Sequence, residues 1–388
     1  MEKVKQDILR ELDELAEDLY TLSKTLYDNP EVAFEEYQTS ATLGTYLEGQ
    51  GFEVEYGVGD LETAFYAKRP GKETRPALAF LAEYDALPNI GHGCGHNLIA
   101  AASIGAGVAL SRHLDAIDGS MTIIGTPAEE GGGGKVILIN AGVFDKIDAA
   151  MMFHPGSRNL VGSESLGRIK FDVEFFGKTA HAAAEPEEGL NALDALIALF
   201  CNIGLLRQQL KDDARVHGVI LKGGDVPNVI PDYTSAQFYV RALNLDYLED
   251  VYRKVCHCAE AAALATGTEL RITEYPLRYE PRKRSRELEK IFQTYMETFG
   301  LEAEQEESGK MGSTDLGNLS RRIPAIHPYL AIVDNNVPGH SKALADATMT
   351  PRGQNAMLNA AKLLALTAYD YLSSKELQSK VAEEFQRT

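Results

Sequence analysis

Cys94 and His96 stand two residues apart in the stretch Gly91-His92-Gly93-Cys94-Gly95-His96-Asn97. A thiolate and an imidazole so placed can ligate zinc or a similar borderline metal. Glycine tolerates backbone angles closed to other residues, so the chain can turn tightly enough for both side chains to converge. The stretch joins a strand-like segment ending in Glu83-Tyr84-Asp85 to a helical run at Leu98–Leu110. The positive end of that helix is expected to lower the thiol pKa and favour the thiolate. Two donors fall short of a metal site. Taken alone, the stretch also fits a glycine-rich turn with a buried Cys and two incidental His, so the remaining donors must come from elsewhere.

Four apolar runs have the texture of buried strands, and each leads into candidate donors or acid/base groups. Ala77–Ala82 leads into Glu83, Asp85, Cys94 and His96. Met121–Gly125 leads into Pro127-Ala128-Glu129-Glu130, Ile147–Phe153 into His154-Pro155, and Tyr329–Val333 into His340-Ser341. In open α/β sheets, ligands bind outside the carboxyl ends of the strands. Singly, Glu129-Glu130 fits a solvated acidic turn, and His154 or His340 an ordinary surface or core histidine. Together they place Cys94, His96, a Glu and two His on one edge, enough for two metals sharing a ligand or a water.

The elements that must hold these groups follow from periodicity. An amphipathic helix opens the chain, with Val4, Ile8, Leu12, Leu15, Leu19 and Leu22 on one face; a second spans about Thr39 to Gln50. Helices at Lys135–Ala141 and Arg284–Phe299 alternate with the apolar strands, which argues a largely parallel sheet covered on both faces. Between Arg168 and Tyr279 the texture changes. Arg168–Phe176 alternates polar and apolar, followed by a helix near Gly189–Leu210, strands at Val216–Lys222 and Thr234–Ala242, a helix at Leu248–Thr266 and a strand at Glu269–Glu274. That β-α-β-β-α-β order describes four antiparallel strands with two helices on one face. The expected fold is therefore α/β, a three-layer catalytic domain (1–167 and 280–388) interrupted by a ferredoxin-like α+β domain (168–279), which beside a catalytic edge makes a natural lid.

At 388 residues the chain is long enough for two cores, and 44% apolar with 24% charged residues is an ordinary globular composition. A formal net charge of −19 argues against nucleic acid or an anionic membrane as partner. The N-terminus lacks the pattern of a signal peptide, and four cysteines without framework spacing suit a reducing compartment, so a cytoplasmic location is expected. Cys256-His257-Cys258 invites a second metal site but falls inside a helical pattern, where adjacent residues point apart.

Six ordered motifs now stand together: His92-Gly93-Cys94-Gly95-His96, Pro127-Ala128-Glu129-Glu130-Gly131, Phe153-His154-Pro155-Gly156, Gly177-Lys178-Thr179-Ala180-His181-Ala182, Asn228-Val229-Ile230-Pro231 and Gly339-His340-Ser341. The set resembles the co-catalytic metallopeptidase family of aminoacylases, auxin-conjugate and hippurate amidohydrolases and carboxypeptidase G-type enzymes. The likeness runs from the Asn29-Pro30-Glu31 turn to the last helix. Through His96-Asn97 and Gly312-Ser313-Thr314-Asp315-Leu316-Gly317-Asn318 it is nearest the branch of p-aminobenzoyl-glutamate hydrolase and the β-alanyl-lysine dipeptidase-like proteins. In the wider family a His often stands where this chain has Glu83.

The resemblance implies that Cys94, His96, Glu130, His154 and His340 ligate two divalent metal ions, zinc or manganese, with cobalt or nickel also compatible. It implies Glu129 as general base, taking a proton from the attacking water and delivering it to the leaving amine. Asp85 would orient a ligand. His181 would reach the active site of a partner subunit in a homodimer and stabilise the oxyanion, the rival being a helix-cap or surface His. Asn228 and Arg241 would grip the substrate's α-carboxylate; for Arg241 a structural salt bridge is the rival. The activity implied is amide hydrolysis of an N-acyl amino acid or dipeptide with a free carboxylate. A p-aminobenzoyl-glutamate type of aryl amide hydrolase is the alternative within the class. A non-catalytic metal-binding protein on the same fold is the alternative outside it, and the presence of Glu129 and all five donors argues against it.

Overall fold

The computed structural model describes residues 2–69, 74–304 and 311–387. Over these the chain forms two compact units: Met1–Glu164, Lys283–Glu307 and Asn318–Thr388 make one, Ser165–Arg282 and Ser308–Gly317 the other.

The first unit opens with α1 (Glu2–Glu14) and α2 (Ala16–Asp28), whose Ile8, Leu12, Leu19 and Leu22 are buried along one face. After α3 (Tyr37–Gly49) come β1 (Glu53–Tyr56), β2 (Phe65–Arg69) and β3 (Ala77–Ala82), then α4 (His96–Ser111), β4 (Ser120–Gly125), α5 (Gly134–Asn140), β5 (Ala149–Met151) and β6 (His154–Gly156). The chain leaves for the second unit and returns through α8 (Arg286–Thr298), α9 (Leu316–Ser320), β11 (Ala325–Ile326), β12 (Tyr329–Ala331), α10 (Lys342–Ala347), α11 (Pro351–Ser373) and α12 (Lys375–Arg387).

The central sheet has the order β1-β2-β4-β3-β5-β11; β4, β3, β5 and β11 run parallel, and β1 and β2 are antiparallel at one edge. Every residue of β3 is buried, as its uninterrupted apolar sequence requires of a strand covered on both faces. Every residue of α4 is buried too, apolar but for His96, Asn97, Ser103 and Ser111, packed on β3 and β4 and overlaid by α2 and α11.

Two sequence expectations need correction. Only Ala149–Met151 of the run Ile147–Phe153 lies in the central sheet, and Tyr329–Val333 is not in it at all: β12 pairs in parallel with β6 in a separate two-stranded sheet, while the short β11 takes the place beside β5. Pro155 and Pro328 lack the N–H that a central ladder position must donate, so both segments leave the main sheet together where it ends. His154 therefore opens β6 just beyond the end of β5.

The second unit consists of β7 (Gly167–Phe176), α6 (Ala192–Leu206), β8 (Arg215–Lys222), β9 (Tyr233–Ala242), α7 (Leu245–Thr266) and β10 (Glu269–Glu274), with sheet order β10-β7-β9-β8, all antiparallel. Along β7, Ile169, Phe171, Val173 and Phe175 are buried against Leu196, Leu199, Val251 and Val255 of the two helices. The intervening polar residues face away, the alternation of a sheet with helices on one face. α7 runs straight through Cys256-His257-Cys258. No helix of the described residues is long and apolar enough to cross a membrane.

Candidate metal centre

β3 delivers Glu83 and Asp85 past its carboxyl end, and the chain returns to start α4 at His96. Gly95, which caps that helix, has φ +78, and a Cβ on it would sit 2.3 Å from Pro155 Cγ. Glycine is required there twice over, for the left-handed angle and for the approach of the His154-Pro155 segment. His96 is buried with Nδ1 turned to the Asp85 backbone oxygen at 2.8 Å and to Asp85 Oδ1 at 3.1 Å. Its Nε2 is buried with no hydrogen bond among the described residues. An imidazole fixed through one nitrogen with the other left bare is how metal-binding histidines are presented.

β4 delivers Glu129 and Glu130 through a bend in which Ala128 takes φ +58, a costly angle for a residue with a Cβ. Glu36 holds the bend: its Oε1 accepts from the Ala128 amide at 2.9 Å and its Oε2 from the Thr63 hydroxyl at 2.9 Å. Asp85 Oδ2 accepts from the Glu130 amide at 2.9 Å, so Asp85 fixes both His96 and the acidic pair. Burial pushes the Glu36 carboxyl up to about 7, with Asp85 adding to the shift.

A raised carboxyl means that the folded chain holds this proton more tightly than the unfolded one. In metal-free protein, stability is therefore lost as pH rises from about 4.5 to about 7 and is level above that. Glu36→Gln keeps an acceptor for Ala128 without the buried charge. Its stability relative to the parent is expected to climb across that window by roughly 3 kcal/mol. Urea unfolding with chelator present at several pH values checks this; a difference that does not vary with pH would refute it.

His154 Nδ1 donates to the Pro155 backbone oxygen at 2.6 Å, and its Nε2 lies 3.3 Å from Cys94 Sγ. Burial holds its pKa down at about 4, so the ring is neutral and ready to ligate. His340 has φ +54, donates its amide to the Gly93 oxygen at 3.0 Å, and places Nε2 3.7 Å from Cys94 Sγ and 3.4 Å from Glu130 Oε1. Among the described residues of the first unit, three trios thus have donor atoms mutually within 4.8 Å: Cys94, His96 and His154; Cys94, Glu130 and His340; His96, Glu129 and Glu130. Cys94 is common to the first two. His92 is no part of them, since its Nε2 pairs with the Leu26 oxygen at 3.1 Å.

The thiol itself departs from expectation. Burial, with the Glu130 carboxylate adding to it, pushes the Cys94 thiol well above its ordinary range, although His96 opposes the shift. Low dielectric and a neighbouring carboxylate outweigh the helix end. For His96, burial would lower the ring, but Asp85 and Cys94 hold it well above the usual histidine value. Both donors must shed protons for a cation to bind. The bare buried Nε2 and the mixed thiol, imidazole and carboxylate set fit a pair of borderline divalent ions.

In the second unit the backbone brings His181 and Asn228 together: the Ala182 amide donates to the Asn228 oxygen at 3.0 Å and His181 bridges to Val229. His181 is exposed, its Nδ1 accepting from the amides of Ala183 and Ala184 at 3.2 Å, so Nε2 is left outward. Arg241 forms no ion pair among the described residues; its Nη1 donates to Ser313 Oγ at 2.9 Å and its Nε to His217 Nε2 at 3.3 Å. Arg168, directly opposite on β7, stacks on Tyr279 at 3.8 Å. Burial and Arg168 lower the Arg241 pKa, as expected of a cation placed to receive an anion.

Three residues of the first unit carry no sequence signal that names their role, or only a faint one. Glu36 belongs to no motif and would need a contact map to be found. His327, buried with its ring 5.3 Å from that of His154, sits in an apolar segment that suggests only core. Lys135 is fully buried and pairs with Glu83 at 2.5 Å. Its signal is a lone cation opening the apolar helix Gly134–Asn140, and removing either partner of such a pair costs about 3–5 kcal/mol.

The sequence pattern of peptidase family M20/M25/M40 matches residues 79–369. The Xaa-Arg dipeptidase of Mus musculus is 36% identical over 400 residues, spanning 99% of this chain and 93% of its own length. A p-aminobenzoyl-glutamate hydrolase chain of Escherichia coli strain K12 is 28% identical over 464 residues, spanning 98% and 95%. Among solved structures, a Bacillus subtilis protein described as a dinuclear metal-binding peptidase of the M20 family superposes with a TM-score of 0.73 at 21% identity, over 93% of this chain and 99% of its own.

Proposed function

The chain belongs to peptidase family M20/M25/M40 and is a hydrolase of peptide or amide bonds, and from that premise we propose that it cleaves dipeptides or N-acyl amino acids bearing a free carboxylate. The observation that carries this is the convergence of donor atoms from Cys94, His96, Glu130, His154 and His340 beside Glu129. Those five would hold two divalent ions, zinc or manganese. When bound, the ions polarise the scissile carbonyl and acidify water. Glu129 accepts the proton of the attacking water at its carboxylate and passes it to the leaving amine. Arg241, with Asn228, grips the substrate carboxylate, the planar guanidinium giving a bidentate fork.

The second unit acts as lid and dimerisation element in this proposal, with His181 Nε2 donating to the oxyanion in a second copy. Support comes from the edge strand β8, which exposes Val219, Ile220 and Leu221, and from Leu205 and Leu264, 77% and 87% exposed on the helices. An unpaired edge strand and exposed apolar side chains invite a partner. A cytoplasmic location belongs to the same proposal.

A dipeptide with a C-terminal arginine is the first substrate to try, because the Mus musculus relative is named for that activity; p-aminobenzoyl-glutamate is the second, on the Escherichia coli relative. A panel of Xaa-Arg, β-alanyl and glycyl dipeptides, acetyl-amino acids and p-aminobenzoyl-glutamate should show cleavage that a chelator abolishes. Amidating the C-terminal carboxylate of the best substrate should cut kcat/KM by about 10²-fold or more, because Arg241 is left without its anion. Equal cleavage of acid and amide would refute the carboxylate grip, and silence across the panel by zinc- and manganese-loaded protein would refute the substrate class.

A further inference from the structure

We propose that Lys135 is a positioning residue of the metal centre, fixing Glu83 so that this carboxylate becomes a further ligand to the cation held by His96. The proposal rests on the metal-centre assignment above. Lys135 Nζ takes Glu83 Oε1 at 2.5 Å, with both side chains essentially inaccessible to solvent. The other oxygen, Oε2, lies 3.5 Å from His96 Nε2, the nitrogen that is buried without a hydrogen bond among the described residues. A Glu83 oxygen also lies within 4.8 Å of the Glu129 carboxylate.

A buried ion pair that served only the core could stand anywhere in it, and apolar residues would serve as well. This one points its second oxygen into a cluster of donors. Two donors on one tetrahedral centre, with bonds of about 2.0–2.2 Å, lie about 3.3–3.6 Å apart, which is the Glu83 to His96 spacing found here. The charges agree. A lysine beside two divalent ions would be repelled, and Glu83 stands between, one oxygen on the ammonium and one toward His96. The backbone fixes the ammonium's origin as well: Lys135 follows Gly134, whose Cβ would fall 1.8 Å from the Pro127 oxygen, so α5 starts hard against the loop that carries Glu129 and Glu130.

The test uses the full chain and Zn²⁺ itself, titrated calorimetrically against a competing chelator, with visible absorption of the Co²⁺-loaded protein as a second readout. Lys135→Met and Glu83→Gln should each weaken one of the two Zn²⁺ sites by about 10- to 100-fold, leave the other unchanged and alter the Co²⁺ spectrum. The double variant Glu83→Gln/Lys135→Met carries no unpaired buried charge and decides the matter should the single variants not fold. Tight binding of both ions by the double variant with an unchanged Co²⁺ spectrum would show a merely structural pair and overturn the proposal. Parent protein that binds no Zn²⁺ would overturn the metal-centre assignment and this proposal with it, a result distinct from the first.

Discussion

Glu129→Gln should lower turnover of the best substrate by about 10²- to 10⁴-fold while two metal ions per chain remain bound. Gln has the shape of Glu, and Glu36 and Asp85 accept from the amides of Ala128 and Glu130, so the bend and the placement of Glu130 survive. What Gln lacks is a basic oxygen at neutral pH. The neighbouring exchange Glu130→Gln should behave differently, because Glu130 forms a trio with Cys94 and His340. It should lose metal as well as turnover. The contrast separates the two adjacent carboxylates, which spacing alone leaves as a pair and to which the family resemblance gives different roles. Turnover retained in Glu129→Gln would sink the base assignment; metal lost from it would reassign Glu129 as a ligand, which its place in the trio with His96 and Glu130 makes a real test.

Much of the candidate site is legible in the sequence because most of its donors follow the carboxyl ends of strands with clear patterns. Ala77–Ala82 matches β3 residue for residue, and Glu269–Glu274 matches β10, both having unambiguous patterns bounded by polar turns. The errors share a cause. Tyr329–Val333 looks like any buried strand, and only its pairing, decided by prolines on two distant segments, removes it from the central sheet. A low pKa for Cys94 follows from its helix alone, a local argument, whereas the loop and the Glu130 carboxylate that bury and oppose the thiolate come from elsewhere in the chain. Glu36, 92 residues from the amide it holds, leaves no local trace. Local pattern thus picks out the side chains that the fold brings together as candidate donors, and long-range contacts determine how they are held.

Cys94→Ala is the exchange expected to damage the metal centre most, and the reason is geometric. Cys94 is shared by the trio with His96 and His154 and the trio with Glu130 and His340, while His154 and His340 belong to one trio each. Loss of the sulfur should therefore weaken both ions by more than about 100-fold, beyond what loss of a supporting group costs. His154→Ala or His340→Ala should weaken mainly one ion and leave a chain that still binds the other. Thermal stability gives the same contrast independently. A site filled at a hundredfold excess over its Kd stabilises the fold by about 2.7 kcal/mol, so added Zn²⁺ should raise the Tm of the parent strongly, of the histidine variants partly and of Cys94→Ala hardly at all. In metal-free protein the Ala variant should be nearly as stable as the parent, because the thiol there is neutral and carries no buried charge. Should Cys94→Ala keep one tight site, the sulfur serves a single ion, and the bridge between the two must be sought in Glu130, which also belongs to two trios.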